Sequence, residues 1–433
     1  MQITGIRAWW QSRTLWEKTA ILVWTLVLLF VCVRGFLRPT ERTVYPIFSN
    51  SVQLWWNSQD LYEPHRPETT QSGYRYSPTF AILFTPLALL PNSVGGVLWR
   101  LLSSAALLGS LAWLARSVLP SALSRNQFAW LTLLCVPLSV QSLNNGQANV
   151  IVIALMLATV TAVREERWNL ASTLMALAFV CKVYLIALGL LLILLFPRQL
   201  LMRMSLALVA SLLAPFLLQH PDYVIDQHEK WLELLLADDR TNALPRNKHR
   251  DLWLLIETFG IPMSRRSYAL LQVLGGVGIA ALCWCRQRQG WPEKTLLPST
   301  LALGVAWMMV LGPVVEASTF LLLAPSLAWS VLAALQEKTR TWRTRALAVS
   351  VTLFGLAVLV GSLGNTADLG VIDLHPVASL FYFVTLLTEP MPGGVERGES
   401  REVERGESRD QCQNSLVPRL SSLDSRLSTG RMR

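Results

Sequence analysis

The chain reads as a succession of apolar blocks joined by short polar connectors. The blocks lie at about 19–36, 94–115, 127–141, 148–163, 169–181, 183–196, 203–218, 267–285, 297–312, 317–335, 346–363 and 375–388. Most approach the ~20 residues with which a helix crosses a ~30 Å hydrocarbon layer. The pattern predicts an all-α polytopic membrane protein with about 11–12 transmembrane helices. Two connectors, about 37–93 and 219–266, are far longer than the rest. Each holds an amphipathic aromatic piece, Val52 to Trp56 and Asp251 to Leu255, whose indoles suit the headgroup boundary. Both connectors are therefore expected to carry interfacial helices. Residues 1–389 read as one transmembrane domain. The pattern stops after Pro390, where the heptapeptide VERGESR occurs at 395–401 and again at 403–409. A segment so charged and so poor in apolar groups is expected to be a disordered tail over 390–433.

Composition agrees with a bilayer as the solvent. Of 433 residues, 52% are hydrophobic and 15% charged, against ~25% charged in an ordinary soluble domain. The net charge of +10 is largely a matter of orientation. Arg116 and Arg125, Arg164 and Arg167, Arg198 and Arg203, Arg286, Arg288 and Lys294, and Lys338, Arg340, Arg343 and Arg345 fall in alternate connectors. The intervening short connectors, near 142–147, 313–316 and 364–374, hold no Lys or Arg. By the positive-inside rule the N-terminus and the tail are cytoplasmic, and both long connectors lie on the outer face. The basic excess is not a nucleic-acid footprint. The first apolar run is followed by no small-residue cleavage site, so it reads as an uncleaved helix. The six cysteines show neither a disulfide framework nor zinc spacing, and the five histidines form no close pair, so no metal site is expected.

Ionisable groups at transmembrane ends cost on the order of 2.5–3.5 kcal/mol on insertion scales and need a reason. Lys182 sits between two short apolar runs, and Glu316 follows a Gly-Pro break, both at the outer boundary. Each either reaches the headgroups or serves a cavity, as a cation for a phosphate and a carboxylate for acid or base work. The turn Asn144-Asn145-Gly146-Gln147 offers amides at the same boundary. Gln147 and Asn149 exceed what a hairpin turn needs. Among the loop carboxylates, Asp60 and Asp251 adjoin apolar interfacial pieces, where desolvation would raise the pKa and suit a general base. There is no phosphate-binding glycine loop, no G-x-S-x-G and no D-x-D.

Four segments in order resemble glycosyltransferase family 87, also called DUF2029. They are Tyr74-Arg75-Tyr76-Ser77-Pro78-Thr79-Phe80, the run Thr85 to Pro91, Asn145-Gly146-Gln147-Ala148-Asn149, and Ala176 to Lys182. The similarity extends over about residues 40–335. It implies a GT-C-like bundle and a glycosyltransferase of the polyprenyl-phosphate-mannose-dependent kind, acting at the outer face of the inner (plasma) membrane. The implied partners are the bilayer, a lipid-linked sugar donor and a glycolipid or glycan acceptor. No cofactor and no metal are implied. Lys182, with Arg250 or Lys248, would neutralise the leaving phosphate, and Asn145, Gln147, Asn149 and Tyr76 would line the substrate. The family's early loop aspartate maps near Val44, so the base falls to Asp60, Glu316, Asp251 or Glu41. A transporter or flippase, and an inactive homologue that binds a lipid-linked sugar, are the alternative readings.

Overall fold

A computed structural model describes residues 3–62, 73–120, 123–237, 250–312, 315–337, 341–362 and 374–391. Among the described residues all regular structure is helical. In chain order, α1 (Ile3–Gln11) precedes α2 (Leu15–Leu37), and α3 (Tyr45–Trp56) and α4 (Pro78–Ala88) occupy the first long connector. There follow α5 (Asn92–Ser117), α6 (Arg125–Asn145), α7 (Asn149–Arg164), α8 (Trp168–Cys181), α9 (Ile186–Leu195) and α10 (Pro197–Leu213). The second long connector carries α11 (Pro221–Ala237) and α12 (Leu252–Thr258). Last come α13 (Arg265–Arg288), α14 (Glu293–Val310), α15 (Ala324–Gln336), α16 (Trp342–Ser362) and α17 (Leu374–Leu387). Short 3₁₀ turns precede α9 at Val183–Leu185, extend α10 at Ala214–Leu217 and lead into α15 at Ala317–Leu323.

Every predicted apolar block falls on α2, α5 to α10 or α13 to α17. Among the described residues six stretches, Leu15–Leu37, Asn92–Ser117, Pro197–Leu217, Arg265–Arg288, Ala317–Gln336 and Trp342–Gly361, are long and apolar enough to cross a membrane, by length and composition. The other apolar helices are shorter or more polar and complete an all-α polytopic bundle. Residues 1–388 form one compact unit. Of 389–433 only 389–391 are described, so the repeat-bearing tail lies outside the described residues.

Packing explains the shared apolarity of helices in different surroundings. On α2, Leu22, Leu26, Leu29 and Phe30 are exposed, as are Val273, Leu274 and Val277 on α13; these faces suit lipid tails. Almost all of α7 and α14 is buried instead, as expected of helices apolar all round and placed in a bundle centre. Ends are set by local chemistry. Thr14 and Glu17 make a reciprocal capping box that starts α2, and Ser124 and Gln127 do the same for α6.

The two ends of the bundle are stitched by different sets of contacts. At the basic end, Arg125 donates to Ser12 O at 3.2 Å, Arg164 pairs with Glu293 at 3.4 Å, and Arg343 donates to Thr385 O at 3.1 Å. At the opposite, loop-bearing end, the Val44 N–H donates to Asn145 O at 2.9 Å and the Arg250 N–H to Val315 O at 2.7 Å. The alternation of basic and uncharged connectors along the chain thus corresponds to two physical ends.

Candidate functional site

The loop end is organised around the turn between α6 and α7. Gly146 closes α6 with φ +63°, and a Cβ there would stand 3.1 Å from Thr43 Oγ1, so both conformation and space call for glycine. Arg100, buried on α5, places its guanidinium against the exposed carbonyls of this helix end. Nε donates to Leu143 O at 2.9 Å, and Nη2 donates to Asn144 O at 2.7 Å and to Thr43 Oγ1 at 3.1 Å. Trp99 Nε1 donates to Gly146 O at 2.8 Å. A cation at a helix C-terminus also complements the macrodipole. Arg100→Met keeps the stem and removes the donors, which should cost on the order of 2–3 kcal/mol. The measurement is the thermal midpoint in detergent; an unchanged midpoint would count against this role.

Lys182 follows α8. A helix of 14 residues rises about 21 Å, short of a ~30 Å hydrocarbon layer. It starts at the basic end, so its last residue and Lys182 lie toward the loop end of the bundle. The backbone turns extended at Lys182 and re-enters helix through the 3₁₀ turn. The half-buried Lys182 ammonium lies 5.7 Å from the Tyr184 ring centroid and has no ion pair or hydrogen bond among the described residues. The first long connector is fastened directly over it. Ser77 Oγ donates to Val180 O at 2.8 Å, and Ser77 also caps α4 by accepting from the Phe80 N–H. The neighbouring Tyr76 stacks on Phe80 with ring centroids 4.6 Å apart. Burial pushes the Tyr76 phenol up from its ordinary range, and the nearby Cys181, Glu316 and Tyr184 push the same way. Tyr76 therefore stays a neutral hydrogen-bonding group.

Glu316 meets this cluster from the other side of the turn. It precedes the 3₁₀ turn Ala317–Leu323, its backbone carbonyl accepting from the Thr319 N–H at 2.8 Å while its own N–H donates to Thr319 Oγ1 at 3.2 Å. Gln147 Nε2 donates to Glu316 Oε2 at 3.3 Å, and Ser318 Oγ donates to Gln147 Oε1. Asn149, buried at the start of α7, donates to Gln147 Oε1 at 2.6 Å and to Ser142 Oγ at 3.2 Å. Two polar atoms here, Asn149 Oδ1 and the Tyr184 hydroxyl, are buried without a hydrogen-bond partner among the described residues. Such atoms carry a desolvation cost that a bound hydroxyl would relieve. Arg250, whose backbone is tied to Val315, places Nη1 3.4 Å from Nδ1 of His375, a buried residue at the start of α17 stacked on Phe320.

The remaining sequence candidates are placed elsewhere or built into scaffolding. Asp60 Oδ2 pairs with Lys230 at 2.8 Å, and Lys230 also holds Asp226 at 2.8 Å, joining the first connector to α11. Glu41 is exposed and paired with Arg38 at 3.1 Å. Asn145 contributes its backbone carbonyl, which accepts from Val44 and Thr43. Val44 stands at the head of α3 with no side-chain cap, so an aliphatic side chain fills a position where Asp is favoured. Lys248 lies outside the described residues.

Asp251 caps α12, accepting from the Leu254 N–H at 3.2 Å, with 6% of its surface exposed. Burial raises its pKa from 3.8 to about 6. A carboxyl that holds its proton more tightly when folded stabilises the fold at low pH, and this contribution is lost as pH rises from about 4 through about 6. The full effect is on the order of 3 kcal/mol. Asp251→Asn keeps a good N-cap and should flatten that part of the stability-against-pH curve. Thermal midpoints between pH 4 and 8 check it, and an equally steep curve for the variant would refute it.

The model of glycosyltransferase family 87 matches residues 74–313, more than half of the 433-residue chain. The chain belongs to glycosyltransferase family 87. The family 87 match takes in Tyr76, Gln147, Asn149, Lys182 and Arg250, and leaves Val44 and Glu316 beyond its ends. No curated protein matches the chain significantly. Among solved structures, the chain is similar to ArnT from Cupriavidus metallidurans bound to undecaprenyl phosphate, at 13% identity and a TM-score of 0.41, over 84% of this chain and 76% of that one. The apo state of the same protein is similar at 14% identity and a TM-score of 0.39, over 85% and 77%.

Within this family 87 protein, the sequence candidates that come together are Lys182, Tyr76, Gln147, Asn149, Glu316 and, next to Val315, Arg250. Sequence reasoning passed over Tyr184, Ser142, Ser318 and His375. Tyr184 carried a signal, its place two residues after an intramembrane lysine. Ser142 and Ser318 carried none, and the histidines were weighed only as metal ligands.

Proposed function

We propose that the protein transfers a hexose, mannose in the first instance, from a polyprenyl-phosphate donor to an envelope glycolipid or glycan, by inverting displacement without a metal. The observation that carries this reading is that Tyr76 feels both the hydrogen-bonded carboxylate Glu316 and the Tyr184 ring, beside which stands Lys182, a cation with no carboxylate partner among the described residues. Family membership supplies the reaction class and weighs against a carrier. In the reaction, Glu316 takes the proton of an acceptor hydroxyl as its oxygen bonds to the anomeric carbon. The bond from that carbon to the phosphate oxygen breaks, and the polyprenyl phosphate leaves with the electron pair. Lys182 and Arg250 neutralise the charge that develops on the phosphate. Tyr76, Tyr184, Gln147 and Asn149 orient sugar hydroxyls.

Lys182 at the loop end of α8 suits a donor whose phosphate sits at the membrane boundary. The positive-inside rule turns the basic end to the cytoplasm, so the site faces outward from the inner membrane. The deciding experiment incubates the purified protein with polyprenyl-phosphate mannose and a membrane glycolipid extract. The expected result is a product heavier by one hexose with free polyprenyl phosphate released. Unmodified lipids would remove the transferase reading and leave the carrier or the inactive homologue.

A further inference from the structure

At the basic end, far along the bundle from Lys182 and Glu316, α1, α2, α5 and α6 enclose a cavity of about 650 Å³. That lies within the ~300–1,000 Å³ range of small-molecule pockets. Its body is apolar, with Trp24, Leu108 and Phe128 on three sides, and its mouth carries Arg13, Arg116 and Arg125 against one carboxylate, Glu17. Glu17 is shared, 3.0 Å from Arg13 and 3.7 Å from Arg125. Arg116 is exposed and has no hydrogen bond or ion pair among the described residues. Buried Nε of Arg13 has no hydrogen-bond partner there either. The mouth thus has three cations to one anion. The exposed indole of Trp9 on α1 stands beside it, as aromatic side chains do at a headgroup boundary.

An apolar chamber opening beside an excess of guanidinium charge is complementary to one kind of molecule, an amphiphile with an anionic head. We propose that the cavity binds an anionic phospholipid of the leaflet at the basic end, its phosphate on Arg116 and Arg125 and the first part of its acyl chains against Trp24 and Phe128. Guanidinium is well matched to phosphate oxygens. Zwitterionic lipids lack the net charge to draw on the unbalanced mouth. Nothing in this inference depends on the transfer reaction, whose site is at the other end.

The test is native mass spectrometry of the full chain in a non-ionic detergent, titrated with phosphatidylglycerol and separately with phosphatidylcholine of the same chains. Phosphatidylglycerol is expected to give a saturable bound lipid that phosphatidylcholine does not. The double variant Arg116→Ala/Arg125→Ala should weaken it about tenfold or more. Ala112→Trp, which fills the chamber and leaves every charge in place, should remove it as well. Arg198→Ala drops one charge at the same end outside the cavity and should leave binding unchanged. Equal binding of the two lipids would overturn the proposal, as would an Arg198→Ala loss as large as that of the double variant. Retained binding in Ala112→Trp eluting as a monodisperse, folded protein would overturn it too.

Discussion

Glu316→Gln is expected to lower kcat for sugar transfer by about 10²–10⁴-fold, the usual range for loss of a general base, with little change in the KM for donor. Glutamine keeps the length of the side chain, and the bond from the Thr319 N–H to the backbone carbonyl of residue 316 does not depend on the carboxylate, so the start of the 3₁₀ turn at Ala317–Leu323 survives. What disappears is the capacity to take a proton. Asp60→Asn is the informative contrast. It loosens an ion pair with Lys230 that is partly exposed, worth about 0.2–1 kcal/mol, and should leave kcat within a few-fold of wild type. Turnover assays on both variants separate the roles. Wild-type turnover in Glu316→Gln would exclude Glu316 as the base and return attention to Asp251.

The second large effect is expected at Lys182. Lys182→Ala should reduce kcat by about 10²–10³-fold, as when one stabilising group is taken from a developing anion. Stability should hardly change, because among the described residues the ammonium makes no hydrogen bond or ion pair and lies 5.7 Å from the Tyr184 ring centroid, so its removal strands no described carboxylate. Lys182→Arg keeps the charge with a different donor geometry and should recover part of the rate. The pair of measurements, turnover and thermal midpoint, is what matters. A fall in both by the same variant would point to a structural lysine, and unchanged turnover would remove Lys182 from the site.

Much of this organisation was legible in the chain. Each apolar block became a helix because a backbone in lipid must satisfy its own hydrogen bonds. The basic connectors gathered at one end because the chain reverses after each crossing. Lys182 stood out because a cation inside an apolar hairpin has no trivial explanation. Interfacial helices are expected in both long connectors, but only at Val52 to Trp56 and Asp251 to Leu255; the positions of α4 and α11 are not marked, since in such connectors short amphipathic segments compete with irregular structure. The carboxylates were the hardest to rank. Asp60, Asp251 and Glu316 look alike as letters beside apolar runs, and only their partners separate them: a lysine on α11, the N–H groups opening α12, and the amide of Gln147.

The amino-acid order by itself determined that this is a helical membrane protein with two ends of unequal charge and two long connectors on one face, because hydropathy and the distribution of Lys and Arg act locally and additively along the chain. Which polar residues share a site was decided only by the tertiary structure. Tyr76, Gln147, Lys182 and Glu316 lie on four separate segments. They are brought to one end of the bundle because Arg100 and Gly146 shape one turn and Ser77 fastens the first connector to the end of α8.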